Sequence, residues 1–270
     1  MMRTGENEKT LPCGRESDMV HLMMPRETIF GAGCLRSVGE TAFSLGTRAF
    51  LVTGSESAQS DEVVDRVRRQ LDEHGMNPTA FPMPEGCPDI EAVDSAAETC
   101  AENQCDVVIG VGEVGVIDGA KLVAIACGSG ANSVRPFLVN EWLFATHWVP
   151  LVCIATPPIT GAELSATAFV ADRTNGVGQV LYHPCLIPEV VIMDAELTLP
   201  VPPAVTAVAG ISAFAHALEA FVSSRADELT ATLAAEAVRL VGRNLVRAVR
   251  DGADIEAKTA LCLAAYLAGA

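Results

Sequence analysis

Three short segments carry residue types at spacings that could do chemistry. The first, Gly110 to Lys121, reads Gly-Val-Gly-Glu-Val-Gly-Val-Ile-Asp-Gly-Ala-Lys between an apolar run and a helical pattern. Glycines such as Gly112 and Gly115 permit positive φ and close backbone approach, and the unbonded N–H groups of a helix start favour a phosphate. Asp118 and Lys121 add one charge of each sign, and Lys121 is one of only three lysines. By spacing alone, a tight strand-to-helix turn without a ligand fits this segment as well.

The second segment, Ile154 to Glu163, places the hydroxyls of Thr156 and Thr160 and the glycine Gly161 just after an apolar run. Hydroxyls so placed can hold ribose or diphosphate oxygens, and they equally serve as ordinary turn caps. The third, Gly210 to Glu219, sets Ser212 and His216 four residues apart, hence on one helical face, with Glu219 three further on. A lone histidine on an apolar helix reads first as a packed core residue. A zinc or iron site needs three or more N, O or S ligands, which this segment does not supply.

These segments need a scaffold, and the apolar pattern supplies one. Buried strands are predicted at Ala49–Thr53, around Ala80–Phe81, and at Asp106–Val111, Leu151–Ala155 and Val190–Met193, with helices at Asp61–His74, Asp89–Asn103 and Val116–Cys127 between them. Such alternation implies a Rossmann-like parallel sheet covered on both faces, with ligands at the carboxyl ends of the strands. Residues 128–150 read as an irregular connection, and Asn175-Gly176 between two alternating runs predicts a hairpin. From Pro202 onward the pattern is helical throughout: Pro203–Ser223, Glu228–Val249 and Asp254 to the end. The division predicted is a leader over 1–24, an α/β domain over 25–199 and a partial all-α domain over 200–270. The last apolar stripe, through Leu261, Leu263, Tyr266 and Leu267, stops without a polar tail, which points to an incomplete helical domain.

The chain has 270 residues, half of them apolar, and 34 acids against 18 bases, for a net charge of −16. That balance disfavours a phosphate backbone or an anionic bilayer as partner, so nucleic acid and membrane are not expected. No run is expected to reach the ~18 apolar residues that span a bilayer. Nine cysteines without a Cys-x-x-Cys pair read as reduced thiols, which implies a cytoplasmic setting. The bare apolar helix faces point to self-association, as homo-oligomers, or to poor solubility.

Taken in order, the three segments resemble the iron-containing alcohol dehydrogenase family, which includes maleylacetate reductase and glycerol-dehydrogenase-like relatives. The likeness runs from Pro25-Arg26-Glu27-Thr28-Ile29-Phe30-Gly31-Ala32-Gly33 to the last residue, with support from Ile192 to Pro200, similar to V-D-P-E-L-T-x-x-L-P, and from Asn244 to Val249. The resemblance implies a dinucleotide-binding α/β domain, a helical domain, and a cleft where NADP or NAD and a divalent metal, Fe²⁺ or Zn²⁺, meet a small alcohol or aldehyde. The metal would polarise the substrate oxygen while hydride passes to or from the nicotinamide.

The carry-over is partial. Of the family's G-G-G-S-x-x-D-x-x-K, this chain keeps Gly112, Gly115, Asp118 and Lys121 but has Glu113 and Val114 in place of small residues. Of P-T-T-x-G-T-G-S-E it keeps Thr156, Thr160, Gly161 and Glu163. Gly54 stands where NAD-preferring members often carry Asp, which leaves room for a 2′-phosphate and makes NADPH at least as favoured as NADH. In G-x-D-A-x-x-H, Ser212 replaces the Asp and His216 remains; the family's two further histidines would fall beyond Ala270. The expected activity is therefore an NAD(P)-dependent alcohol or aldehyde oxidoreductase with an incomplete metal site. The alternative is a catalytically inactive relative that keeps a scaffold or nucleotide-binding role.

Overall fold

The computed structural model describes residues 20, 22–54, 58–131, 133–139, 147–157, 159 and 161–270. The predicted leader falls almost wholly outside these residues, and so does Thr160.

The α/β part runs β1 (Glu27–Phe30), α1 (Val38–Phe43), β2 (Ala49–Thr53), α2 (Ala58–Glu73), β3 (Thr79–Pro82), α3 (Ile90–Glu102), β4 (Val107–Gly112) and α4 (Val114–Gly128). It continues through α5 (Arg135–Val139), β5 (Leu151–Ala155), β6 (Thr167–Asp172), β7 (Val177–Tyr182) and β8 (Val190–Met193). Three helices follow, α6 (Pro203–Val222), α7 (Glu228–Arg250) and α8 (Ile255–Gly269). Two elements correct the sequence reading. A short helix, α5, interrupts the connection expected to be irregular, and β1 is a strand where only a family-like stretch was recognised.

Six strands pair in parallel in the order β1-β8-β5-β4-β2-β3. Continuous apolar runs such as Phe50-Leu51-Val52 suit this sheet because both of its faces are covered. Alternate side chains then feed separate cores. Phe50, Val52, Val108 and Cys153 join the cluster under α3 and α4, while Leu51, Ile109, Val152 and Ile154 join the one under α1 and α2. The chain leaves β2 for β3 on one side and returns to β4 on the other, so the strand order reverses between β2 and β4. Ligands in such sheets bind at that crevice, beyond the carboxyl ends.

The Asn-Gly hairpin forms as an antiparallel ribbon of β6 and β7, with Gly176 at φ +68° and Asp172 accepting from the Asn175 backbone and side chain. It lies against α4. The three C-terminal helices pack mainly on one another, and α7 and α8 start at capping aspartates, Asp227 and Asp254. By length and composition α6 is apolar enough to cross a membrane. This corrects the expectation that no segment reaches that length; Thr206, Ser212, His216 and Glu219 interrupt its apolar run without lowering the whole below the threshold.

Candidate functional site

The carboxyl ends of β2, β4 and β5 open onto a cavity of about 660 Å³, and Gly54, Gly112 and Thr156 stand at those ends. Gly115 and Asp118 from the start of α4 complete the part of the lining that the sequence had singled out. Glu113 and Val114 also face it.

The turn between β4 and α4 is tight for a packing reason. A Cβ on Gly112 would stand 2.6 Å from the Val116 Cβ, and one on Gly115 would collide with the carbonyl of Gly86. Neither glycine has positive φ, so of the two uses the sequence allowed, the glycines serve close approach. Val114 is accordingly unstrained and begins the helix. Glu113 holds the N-cap position with no side-chain cap bond, and its carbonyl takes the N–H groups of both Val116 and Ile117 at 3.0 Å. The N–H groups of Val114 and Gly115 are left without a bond among the described residues, at the positive end of a helix dipole and beside the cavity. The Glu113 carboxylate is exposed at the same mouth.

Asp118 and Lys121 divide the roles expected of them. Asp118 lines the cavity but is only 3% exposed, and it accepts the Phe169 N–H of β6 at 3.1 Å. Burial pushes its carboxyl up to about 6, against the pull of Lys121 and the Phe169 N–H. Lys121 does not reach the cavity. Its ammonium donates to the carbonyls of Ala162 (2.6 Å), Ser165 (2.7 Å) and Thr167 (2.9 Å) and to the Ser165 hydroxyl (3.1 Å), so it fastens the 162–167 segment onto α4. Burial pulls its pKa down, opposed by Cys153, Asp118 and Glu163. Gly161 is likewise a packing residue: at φ +86°, its missing Cβ leaves room for Gly269 at the end of α8. Glu163 is fully buried beside this network with Oε1 unbonded, and burial raises its pKa.

The third segment is not brought to the cleft lining. Ser212 is half-buried and His216 exposed on α6. Among the described residues no group of three His, Cys, Asp or Glu is spaced to hold a metal ion.

Sequence reasoning missed the far wall of the cavity, built by Pro84, Glu85, Gly86 and Cys87 after β3 and by Phe169 of β6. The signal was available for the first group, since a proline-punctuated loop at the carboxyl end of a parallel strand is a ligand position. A second cavity of about 40 Å³ lies between α6 and α8. There the buried Lys258 ammonium donates to the Thr198 carbonyl at 3.0 Å and the Thr206 hydroxyl at 2.7 Å.

Comparison with known proteins gives this geometry a context. Residues 25–195 match the family profile described as iron-containing alcohol dehydrogenase, and 206–270 match the one described as Fe-containing alcohol dehydrogenase family, C-terminal. A probable alcohol dehydrogenase of Escherichia coli (strain K12) is 33% identical over 246 residues, which is 91% of this chain and 62% of that protein. The NAD-dependent methanol dehydrogenase of Bacillus methanolicus is 28% identical over 93% of this chain and 65% of its own length. Among solved structures, sulfoacetaldehyde reductase from Bifidobacterium kashiwanohense in complex with NAD⁺ superimposes with a TM-score of 0.81 at 25% identity, covering 93% of this chain and 66% of that one. The chain thus spans slightly less than two thirds of the length of these relatives.

Proposed function

This chain belongs to the iron-containing alcohol dehydrogenase family, and from that premise we propose that the cleft at the ends of β2, β4 and β5 binds a nicotinamide dinucleotide for the interconversion of small alcohols and aldehydes. The observation that carries the reading is the cavity itself. Gly54, Gly112, Gly115, Asp118 and Thr156 are separated by up to about a hundred residues in sequence and line one space of about 660 Å³. The Val114 and Gly115 N–H groups would take the diphosphate, with the Thr156 hydroxyl beside them. When bound, the nicotinamide supplies or accepts hydride. Asp118 is a positioning residue, tying the start of α4 to the hairpin wall. Lys121 holds the 162–167 segment and so shapes the cradle from outside it.

Gly54 sets the cofactor preference in this proposal. Among the described residues a Cβ there would meet only Val116 Cγ2, at an ordinary 3.5 Å, so a side chain fits and its absence leaves room for a 2′-phosphate. NADP is therefore favoured at least as much as NAD. We propose that the division between the nucleotide-binding and helical parts lies near residue 200.

Among the described residues the donor set for a divalent metal does not fit. Ser212 offers a neutral hydroxyl and His216 one imidazole, whereas iron or zinc needs three or more good ligands. No step is routed through Fe²⁺ or Zn²⁺.

Titration of the purified chain with NADPH and NADH, followed by reduced-nicotinamide fluorescence, tests the reading. NADPH is expected to bind at least as tightly as NADH. Gly54→Asp should weaken NADPH by about tenfold or more while sparing NADH, from the cost of a carboxylate near the 2′-phosphate. Absence of binding by either dinucleotide would leave the scaffold reading as the better one.

A further inference from the structure

Lys258 lies in the first turn of α8 and is one of only three lysines in the chain. It is 2% exposed, and its nitrogen sits between the Thr198 carbonyl at 3.0 Å and the Thr206 hydroxyl at 2.7 Å. All three residues line the cavity of about 40 Å³ between α6 and α8, together with Ile159, Val201, Leu261 and Ala265. A buried charge is ordinarily paired with an opposite one, and here the carboxylates are engaged elsewhere. Asp254 and Glu256 pair with Arg247 of α7, Asp194 accepts the N–H groups of Gly33 and Leu35, and Glu163 faces Cys262 and Lys121. Cys262, one turn along α8 and also in the lining, is pushed up to about 12 by burial, so its thiol carries no charge to offset the lysine.

The acceptors match the free amine better than the ammonium. An ammonium has three N–H groups and finds two acceptors among the described residues. The free amine has two N–H groups, and its lone pair takes the third position. Burial pulls the Lys258 pKa down, opposed by Cys262, which is the direction this count requires. Lys121 differs: it has four oxygens around its nitrogen, with Asp118 and Glu163 nearby, which leaves no position for a lone pair.

We propose that Lys258 is a covalent site for short unbranched aldehydes, which its nitrogen takes up as imines inside the cavity between α6 and α8. The apolar lining suits a hydrocarbon chain better than a hydrated anion. A volume of about 40 Å³ has room for about three water-sized groups, which matches the two carbons and one oxygen of acetaldehyde. The lysine first gives up its proton to solvent. Its lone pair then attacks the aldehyde carbon; the C–N bond forms, the carbonyl π pair moves to oxygen, and that oxygen takes the proton lost from nitrogen. The hydroxyl leaves with a second proton as water while the C=N bond forms. Amine and aldehyde thus give imine and water, with no change of oxidation state. The proposal rests on the alcohol–aldehyde reading of the cleft only for the source of the aldehyde.

The test incubates the full chain at neutral pH with acetaldehyde and sodium cyanoborohydride, which traps an imine as an ethylated amine, and digests it with trypsin. Trypsin cuts the untreated chain after Arg250 and Lys258. Ethylation of Lys258 blocks the second cut and leaves residues 251–270 in one piece, with an ethyl group in place of a hydrogen. Lys258 is expected to be labelled at least about tenfold faster in the folded chain than in the chain unfolded in urea, and Lys121 to be labelled only in urea. Ala209→Leu, which narrows the cavity from α6, should abolish the enhancement with Lys258 still present. Labelling of Lys258 no faster in the folded chain than in urea, or undiminished labelling in a folded Ala209→Leu variant, overturns the proposal. Dinucleotide titration of the same chain reads the cleft independently, so failure of that reading and failure of this one are distinguishable.

Discussion

Helices α4 and α6 are both rich in alanine and valine, yet eleven of the fifteen residues of α4 are buried against four of the twenty in α6. Each also carries a polar pair on one face, Asp118 with Lys121 and Ser212 with His216. In α4 the pair is interior and fully engaged, because the sheet covers one side of the helix and the β6–β7 ribbon covers another. In α6 only α7 and α8 make extensive contact, so Val208, Ile211 and Phe221 stay exposed along with His216. Helical spacing therefore says which residues share a face and leaves open what that face meets. The neighbours decide whether a charged pair becomes a structural clamp or a solvated patch.

Removing the clamp should have the largest effect. In Lys121→Met the carbonyls of Ala162, Ser165 and Thr167 lose their shared donor, and the buried Asp118 and Glu163 lose the cation near them. Breaking a buried charged network of this kind costs about 3–5 kcal/mol, which would show as a lower urea midpoint. A much smaller loss would mean that the 162–167 segment is held by packing alone, and the contrast with α6 would weaken.

The second test uses the proton on Asp118. Its carboxyl titrates at about 6 in the folded chain instead of near 3.8. A raised carboxyl contributes stability that is fully present below about pH 4 and is lost as pH rises through 6. Asp118→Asn can still accept the Phe169 N–H but has nothing to titrate. Relative to this variant, the unsubstituted chain should therefore lose up to about 3 kcal/mol between pH 4 and 7. Denaturant melts at the two pH values measure the difference, and parallel curves would place Asp118 in a more hydrated setting.

The strand–turn–helix unit around Gly112 was legible because its signals are local. A continuous apolar run ends at glycine, and a helical period begins within two residues. The hairpin at Asn175-Gly176 was legible for the same reason. By contrast, β1 is four residues long at the sheet edge, and its partner β8 lies more than 150 residues away, so no local period marks it. For Gly115 the sequence left open whether positive φ or close approach was needed, for a related cause. What forbids a side chain there is the carbonyl of Gly86 in a loop nearly thirty residues earlier. Lys121 illustrates the remaining gap, since its place in a phosphate-like motif is the same whether the ammonium turns toward the cleft or, as here, toward the hairpin.

A smaller effect is expected where α4 meets the cleft. Glu113 is exposed beside the unbonded N–H groups of Val114 and Gly115. Its carboxylate would oppose a diphosphate by about 1 kcal/mol through solvent, and by more where water is excluded. Glu113→Gln should therefore tighten NADPH by about fivefold to tenfold, with the gain shrinking as salt is raised. Unchanged affinity would place the phosphates elsewhere in the cavity.

The smallest effect belongs to α6. Val208 and Ile211 are 68% and 57% exposed, so Val208→Glu and Ile211→Lys bury no charge and open no cavity. Each should change the stability read from the urea midpoint by no more than about 0.5 kcal/mol, whereas Val123→Glu, at a fully buried position of α4, should prevent folding at neutral pH. Sedimentation separates stability from association in the same samples. If the apolar face of α6 joins copies of the chain, the double variant becomes smaller in solution while the midpoint measured at low concentration stays put. If its size is unchanged, the exposed face plays no part in assembly, and the difference between the two helices lies wholly in what covers them within one chain.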